Sequence, residues 1–251
     1  MKSRAMLSLW ALVALVAFSP PVSAQSAKPT AGGATSAASV PDISGVWSGV
    51  LSNNLLPKGT APPFTAWGTA QMKANKPAHG DDSTTASTDP VDKCFPPGIP
   101  RLYYHPFPME ILQIPGRVVM VFEYDHFVRN IYTDGRPHPP DLTPTWMGDS
   151  IGHWEGDTLV VDTVGFNEKT WLDRSGLPHS DGLHLTERIR RSDHATLVDE
   201  ITVDDPKAYT KPWTAKRSFA LKPKWNIMEF VCLDQQLNFD DYQKKTLGSS
   251  K

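Results

Sequence analysis

From Met109 to Leu233 the chain is a succession of runs of four to eight residues rich in Val, Ile, Phe and Tyr, each cut off by a turn signal such as Pro115-Gly116, Glu155-Gly156-Asp157 or Asp193-His194. Runs of that length and composition form strands, and turns this tight join antiparallel neighbours. Strands are expected at Met109 to Ile114, Arg117 to Tyr124, Phe127 to Thr133, Ser150 to Trp154, Thr158 to Thr163, His184 to Arg191, Thr196 to Asp204, Trp213 to Leu221 and Asn226 to Leu233. A short strand around Trp47, within Ser44 to Val50, precedes them. No strand-helix-strand alternation accompanies these runs, which argues against a parallel sheet. An antiparallel meander of this size leaves two open edges unless it closes, so the expected fold is all-β, a barrel of about 8–10 strands.

The chain ahead of Met109 reads differently. Ten prolines fall between Pro57 and Pro108, with one short helix expected at Thr65 to Lys76. A stretch this long without strands is expected to wrap the outside of the sheet or to cover an opening. At the N-terminus, Lys2 and Arg4 precede an apolar run from Met6 to Phe18, and Val22-Ser23-Ala24 supplies small residues before a cut. That is the pattern of a secretory signal, and the run is shorter than the roughly 20 residues that cross a bilayer. The expected division is a signal peptide at 1–24, a small and polar flexible leader at 25–40, one barrel domain at 41–240 and a polar tail at 241–251, with no membrane span after processing.

Removal of the signal leaves 251 − 24 = 227 residues and moves the formal charge from −2 to −4 by loss of Lys2 and Arg4. No basic field remains to hold nucleic acid. The cluster Arg188, Arg190 and Arg191 has Glu187 and Asp193 beside it and reads as a solvated sheet face. The expected location is the periplasm or the outside of the cell. In such an oxidising compartment the two cysteines, Cys94 and Cys232, are expected to form one disulfide, tying the proline-rich segment to the last strand, with two buried free thiols as the alternative.

Gly45-Val46-Trp47 in the first strand resembles the Gly-x-Trp signature of lipocalins, in which the tryptophan closes the barrel base under an arginine from a late strand; Arg217 could be that arginine. The blocks Cys94-Phe95-Pro96-Pro97-Gly98, Ile131 to Arg136, Trp154 to Asp162 and Asp204 to Thr210 make the chain from Pro41 onward similar to a family of secreted bacterial proteins of unknown activity. That resemblance implies export and a lipocalin-like, calycin-type barrel. It assigns no catalytic residue.

Candidate chemistry falls in two places. Glu110 shares strand parity with Leu112 and Ile114, Arg129 with Phe127 and Ile131, Glu187 with Leu185 and Ile189, and Arg217 with Phe219 and Leu221. If all four face inward they form a ligand-orienting chamber in which a carboxyl could take up a proton; the alternative is that they pair and plug the barrel. The second place is two long loops. The first holds His138, Asp141, Trp146 and Asp149; the second holds Asn167, Glu168, Trp171, Asp173, His179 and Asp181, followed by His184.

In the acid/base reading His179 is the general base, Asp181 or Asp173 orients it, and His184 stands within reach. Arg129, Glu110, Glu187 and His138 hold the ligand, and Trp146 and Trp171 wall it. A single divalent metal on His179, Asp181 and His184 is a further possibility, although the spacing matches no zinc signature. No Gly-x-Ser-x-Gly elbow or phosphate-binding glycine loop is present, so nucleophilic hydrolysis and nucleotide cofactors are not expected. The expected function is cofactor-independent acid/base conversion of a small aromatic or sugar-like molecule, of lyase, hydratase or isomerase type. The alternative is a periplasmic small-ligand binding protein without catalysis.

Overall fold

The computed structural model describes residues 40–78, 83–235 and 238. The signal segment, the leader through residue 39 and the tail at 241–251 lie outside the described residues. Nine strands follow in chain order: β1 Gly45–Gly49, β2 Met109–Ile114, β3 Arg117–Phe122, β4 Val128–Tyr132, β5 Asp149–Glu155, β6 Thr158–Val164, β7 His184–Asp193, β8 Thr196–Asp204 and β9 Trp213–Leu221. Each pairs with the next, and β9 returns to β1, so the sheet is a closed barrel, compatible with a lipocalin-like architecture.

Two departures from the sequence expectation have one cause each. β4 and β5 are parallel, through Ile131↔Ser150 and Tyr132↔Ile151, because the loop at 133–148 carries the chain back along the barrel instead of turning it in a hairpin. The strand expected at Asn226 to Leu233 does not form. β9 already pairs with β1, so the closed sheet offers no edge to a tenth strand, and Met228 and Leu233 stay exposed.

The core is built by period-two alternation. Ile111, Val118, Met120, Ile131, Leu159, Val161, Leu185, Ile189, Leu197 and Ile201 are buried on the inner face. In β2 the inward residues are Met109 and Ile111, which turns Glu110, Leu112 and Ile114 outward, so Glu110 does not enter the interior. Apolar residues occupy both parities of Met-Glu-Ile-Leu-Gln-Ile, which leaves the phase ambiguous from sequence. Gln113, on the inner parity, sits at the strand end, where it donates to the Pro41 carbonyl at 2.9 Å and accepts from the Ile43 amide at 2.6 Å.

Trp47 is fully buried, and its indole N–H donates to the Ile43 carbonyl at 2.9 Å. The arginine over its ring is Arg191 at 5.3 Å, not Arg217. Arg191 lies at a register shift near the end of β7, where its guanidinium also donates to the His194 and Asp42 carbonyls. The proline-rich segment covers the barrel, as its length implied. Ile99, Leu102, Tyr103 and Tyr104 join the core, and the Tyr103 hydroxyl reaches Glu187 at 2.9 Å.

The helix α1 Ala66–Ala74 is capped by Thr65, whose hydroxyl accepts from the Gly68 amide at 3.0 Å. That hydroxyl also donates to the Lys207 carbonyl at 2.6 Å and so fastens α1 to the β8–β9 connection. A disulfide joins Cys94 to Cys232 across 138 residues, binding the segment to the chain beyond β9 rather than to a strand. Among the described residues no helix is long and apolar enough to cross a membrane.

Candidate functional site

The barrel interior brings Arg129 and Glu187 together. Arg129 Nη1 donates to Glu187 Oε1 at 2.9 Å, Nη2 donates to Oε2 and to Thr163 Oγ1, and Nε donates to Ser150 Oγ at 3.1 Å. Every guanidinium nitrogen is engaged. Burial alone would lower the Arg129 pKa, but the Glu187 charge, followed by Tyr103, outweighs it and holds the guanidinium above its ordinary value. Asp199 faces the same pair from β8; it is 1% exposed, and among the described residues no donor reaches either of its oxygens. Burial, followed by the Glu187 charge, pushes its carboxyl well above the usual range, and as a neutral acid it can donate to Glu187. The ion pair lies within the barrel and leaves no free donor on Arg129 for a ligand.

The two long loops meet outside the barrel, through the bridge Thr145↔Phe166 and the hydrogen bond from the Asn167 amide to the Thr145 carbonyl at 2.8 Å. Their polar residues divide into two groups. In the first, His138 Nδ1 donates to Asp149 Oδ1 at 2.6 Å, its Nε2 stands 3.5 Å from Asp162 Oδ2, and His184 Nε2 donates to Asp162 Oδ1. Asp162, on the outer parity of β6, escaped the sequence reading because an outward polar residue on a strand resembles any solvated one. Among the described residues no three His, Cys, Asp or Glu side chains are disposed to hold a metal ion, and His179, Asp181 and His184 do not converge.

The second group is a cleft of ≈ 180 Å³. Trp67 and Gln71 of α1 and Asn75, which caps its C-terminus, form one side, and Glu168, Trp171 and His179 the other. His179 is 4% exposed, and its Nδ1–H donates to the Ser180 carbonyl at 3.0 Å. That bond selects the tautomer with an unprotonated Nε2, which has no partner among the described residues. Burial lowers the His179 pKa against the opposing pull of the Ser180 carbonyl, Asp205 and Glu168, so the ring is neutral at pH 7.

The backbone around His179 is bolted down. Asp205 accepts from the Ser180 amide at 2.6 Å and the Ser180 hydroxyl at 2.8 Å, and the Tyr209 hydroxyl donates to the Pro178 carbonyl at 2.7 Å. Asp205 itself is 1% exposed. Its position between β8 and β9 gave no hint of this partner 25 residues away.

Neither acid expected to orient His179 touches it. Asp173 is fully buried and accepts from the Leu55, Ser175 and Leu177 amides at 2.9, 3.0 and 3.2 Å, which folds the loop. Burial raises its pKa despite those bonds. Asp181 is exposed, and its amide donates to Glu168 Oε1 at 3.3 Å. The short-range spacing suggested a dyad, but a backbone carbonyl took the imidazole N–H instead.

Glu168 is paired with Lys207 at 2.8 Å, and the Lys207 hydrogen bond lowers its pKa, so it remains ionised. Lys207 lies 4.9 Å from the Trp67 ring, a wall of the cleft that the sequence reading did not single out. Trp171 is held from behind by Arg101, 5.6 Å from its ring, and Arg101 is forked onto Asp89 at 2.9 and 2.5 Å. Trp146 stacks on Phe95 at 5.7 Å and does not line this cleft. At Gly98, φ is +73°, and a Cβ would lie 2.7 Å from the Trp146 carbonyl, so only glycine lets the segment pass there. No known protein-family model matches the chain, and no curated protein matches it.

Proposed function

We propose that the His179 cleft is an acid/base site for a small ring-bearing molecule, aromatic or sugar-like, in an exported barrel protein. The observation that carries the reading is a buried neutral imidazole of fixed tautomer beside two indole faces. The cleft is below the roughly 300–1,000 Å³ of drug-sized sites, so the molecule is small. Gln71 and Asn75 supply amides for its polar groups. The disulfide, and the want of a membrane-crossing helix among the described residues, are compatible with export.

Among the described residues Glu168 is the only carboxylate in the cleft wall; Lys207 holds it ionised, so it is a poor proton donor. One base without a neutral acid suits chemistry in which the same group removes and returns a proton, as in isomerisation, or elimination of an anionic leaving group. The same observation favours a second reading, in which the cleft binds without converting.

Turnover of a panel of monosaccharides, uronates and small phenols by the wild type and His179→Gln separates the two. The expected result is a loss of kcat/KM of about 10²-fold or more in His179→Gln, with the urea midpoint little changed. Because the His179 pKa is depressed, the acid limb of the wild-type pH profile lies below pH 6.5. Equal turnover by the two proteins would remove His179 from the chemistry. Saturable binding without turnover would leave the binding reading.

A further inference from the structure

Arg217 is a buried cation with no ion pair among the described residues. β9 pairs with β1 through only Trp47↔Leu221, Ser48↔Ala220 and Gly49↔Phe219. Beyond Gly49 the chain leaves the sheet as the irregular stretch at 50–57, so the first half of β9 borders a slit in the barrel wall. Arg217 fills that slit. Its Nε donates to the Tyr103 carbonyl at 3.0 Å, its Nη2 donates to the Val50 carbonyl, and its guanidinium lies 4.6 Å from the Tyr104 ring centroid. Gly49 makes the approach possible, since a Cβ there would stand 2.5 Å from Nη2.

Every one of these partners is neutral. Arg217 is 7% exposed and has no ion pair among the described residues, and its Nη1 donates to no described group. Burial lowers its pKa, and only the Tyr104 phenol opposes this. Buried charges are normally paired, and a guanidinium is the side chain best matched to a carboxylate. The Tyr104 hydroxyl beside it is also buried without a hydrogen-bond partner.

Both residues line a cleft of ≈ 440 Å³ that shares no residue with the His179 cleft. Leu56 and Pro57 give it an apolar lip. Glu200 and Lys216 on its rim are cross-strand neighbours of opposite sign. The cross-strand neighbour of Arg217 itself is Asp199, which makes no ion pair with it among the described residues and whose carboxyl burial and the Glu187 charge push well above the usual range. We propose that this side cleft binds a small organic acid, with the carboxylate on Arg217 Nη1 and the Tyr104 hydroxyl and the apolar body along Leu56 and Pro57. An inorganic anion would use the cation but not the lip.

The test is calorimetric titration of the full chain with benzoate and, separately, with inorganic phosphate at low salt. Benzoate is expected to bind saturably and more tightly than phosphate. Tyr104→Phe should weaken it about tenfold, the usual effect of one hydrogen bond to a charged group. Its fold should be unchanged, because the hydroxyl has no hydrogen-bond partner among the described residues. Arg217→Lys should weaken benzoate further, with its melting temperature reporting whether the slit still closes. No saturable benzoate binding by the wild type overturns the proposal. So does phosphate binding more tightly than benzoate, or equal benzoate affinity in the wild type and both variants.

Discussion

Arg129 and Arg217 are two buried guanidiniums on inward positions of one barrel, and they differ in what answers their charge. Arg129 meets a carboxylate and three hydroxyls and spends every donor on them. Arg217 meets two carbonyls and two aromatic rings. Outside the barrel His179 repeats the second condition, with one nitrogen bound and one left over. A polar group satisfied in all directions holds a fold together; one left incomplete in a cleft has something to offer a ligand. That contrast is the ground on which recognition is proposed for the rim and the slit and not for the Arg129–Glu187 pair.

The sharpest way to break the contrast is to remove the partner that Arg129 has and Arg217 lacks. Glu187→Ala should destabilise the protein by about 3–5 kcal/mol in urea unfolding, because it strands a buried cation. Combining Arg129→Met with Glu187→Leu should recover most of that loss; failure to recover would mean that the network does more than neutralise itself. Reduction of Cys94–Cys232 should cost about 2–4 kcal/mol by freeing the unfolded chain. Hydrogen exchange should show the loosening in the proline-rich cover before the barrel strands.

Asp199 gives the smallest effect and the most specific one. Its folded pKa is raised, so above the unfolded value near 3.8 the native state holds a proton that the unfolded state releases. Stability therefore falls as pH rises through this window, by up to about 1.4 kcal/mol per pH unit, until the folded carboxyl itself ionises. Asp199→Asn should lose this slope and exceed the wild type at pH 7, with the difference vanishing below about pH 4. Parallel pH profiles for the two proteins would place the Asp199 proton elsewhere.

Alternation made much of the barrel readable in advance. The expected β3 to β9 strands fall within a few residues of the observed ones, and the expected helix contains α1. Arg129 and Glu187 had unmistakable apolar neighbours two residues away on each side or on both strands of a hairpin, and they lie inside. Asp199, between Leu197 and Ile201, carried the same signal and was overlooked. Glu110 misled because β2 is apolar on both faces.

The candidate site was legible only as a list of loop residues. Trp67 and His179 are 112 positions apart in the sequence and share a cleft, whereas His179 and Asp181, two apart, do not touch. Which residues of the loops meet depends on hydrogen bonds such as Ser180 to Asp205 and on the covering of the barrel by the proline-rich segment.

By itself the sequence determined an all-β chain, the place of most of its strands and the phase of those with apolar residues on one face only, because side-chain alternation and turn chemistry are local and need only neighbouring residues. Only the tertiary structure decided that the sheet closes at nine strands, that Arg129 is answered while Arg217 is not, and which loop residues share a cleft. Those outcomes depend on contacts between segments far apart in the chain, where the distances are set by closure of the barrel and not by spacing along the sequence.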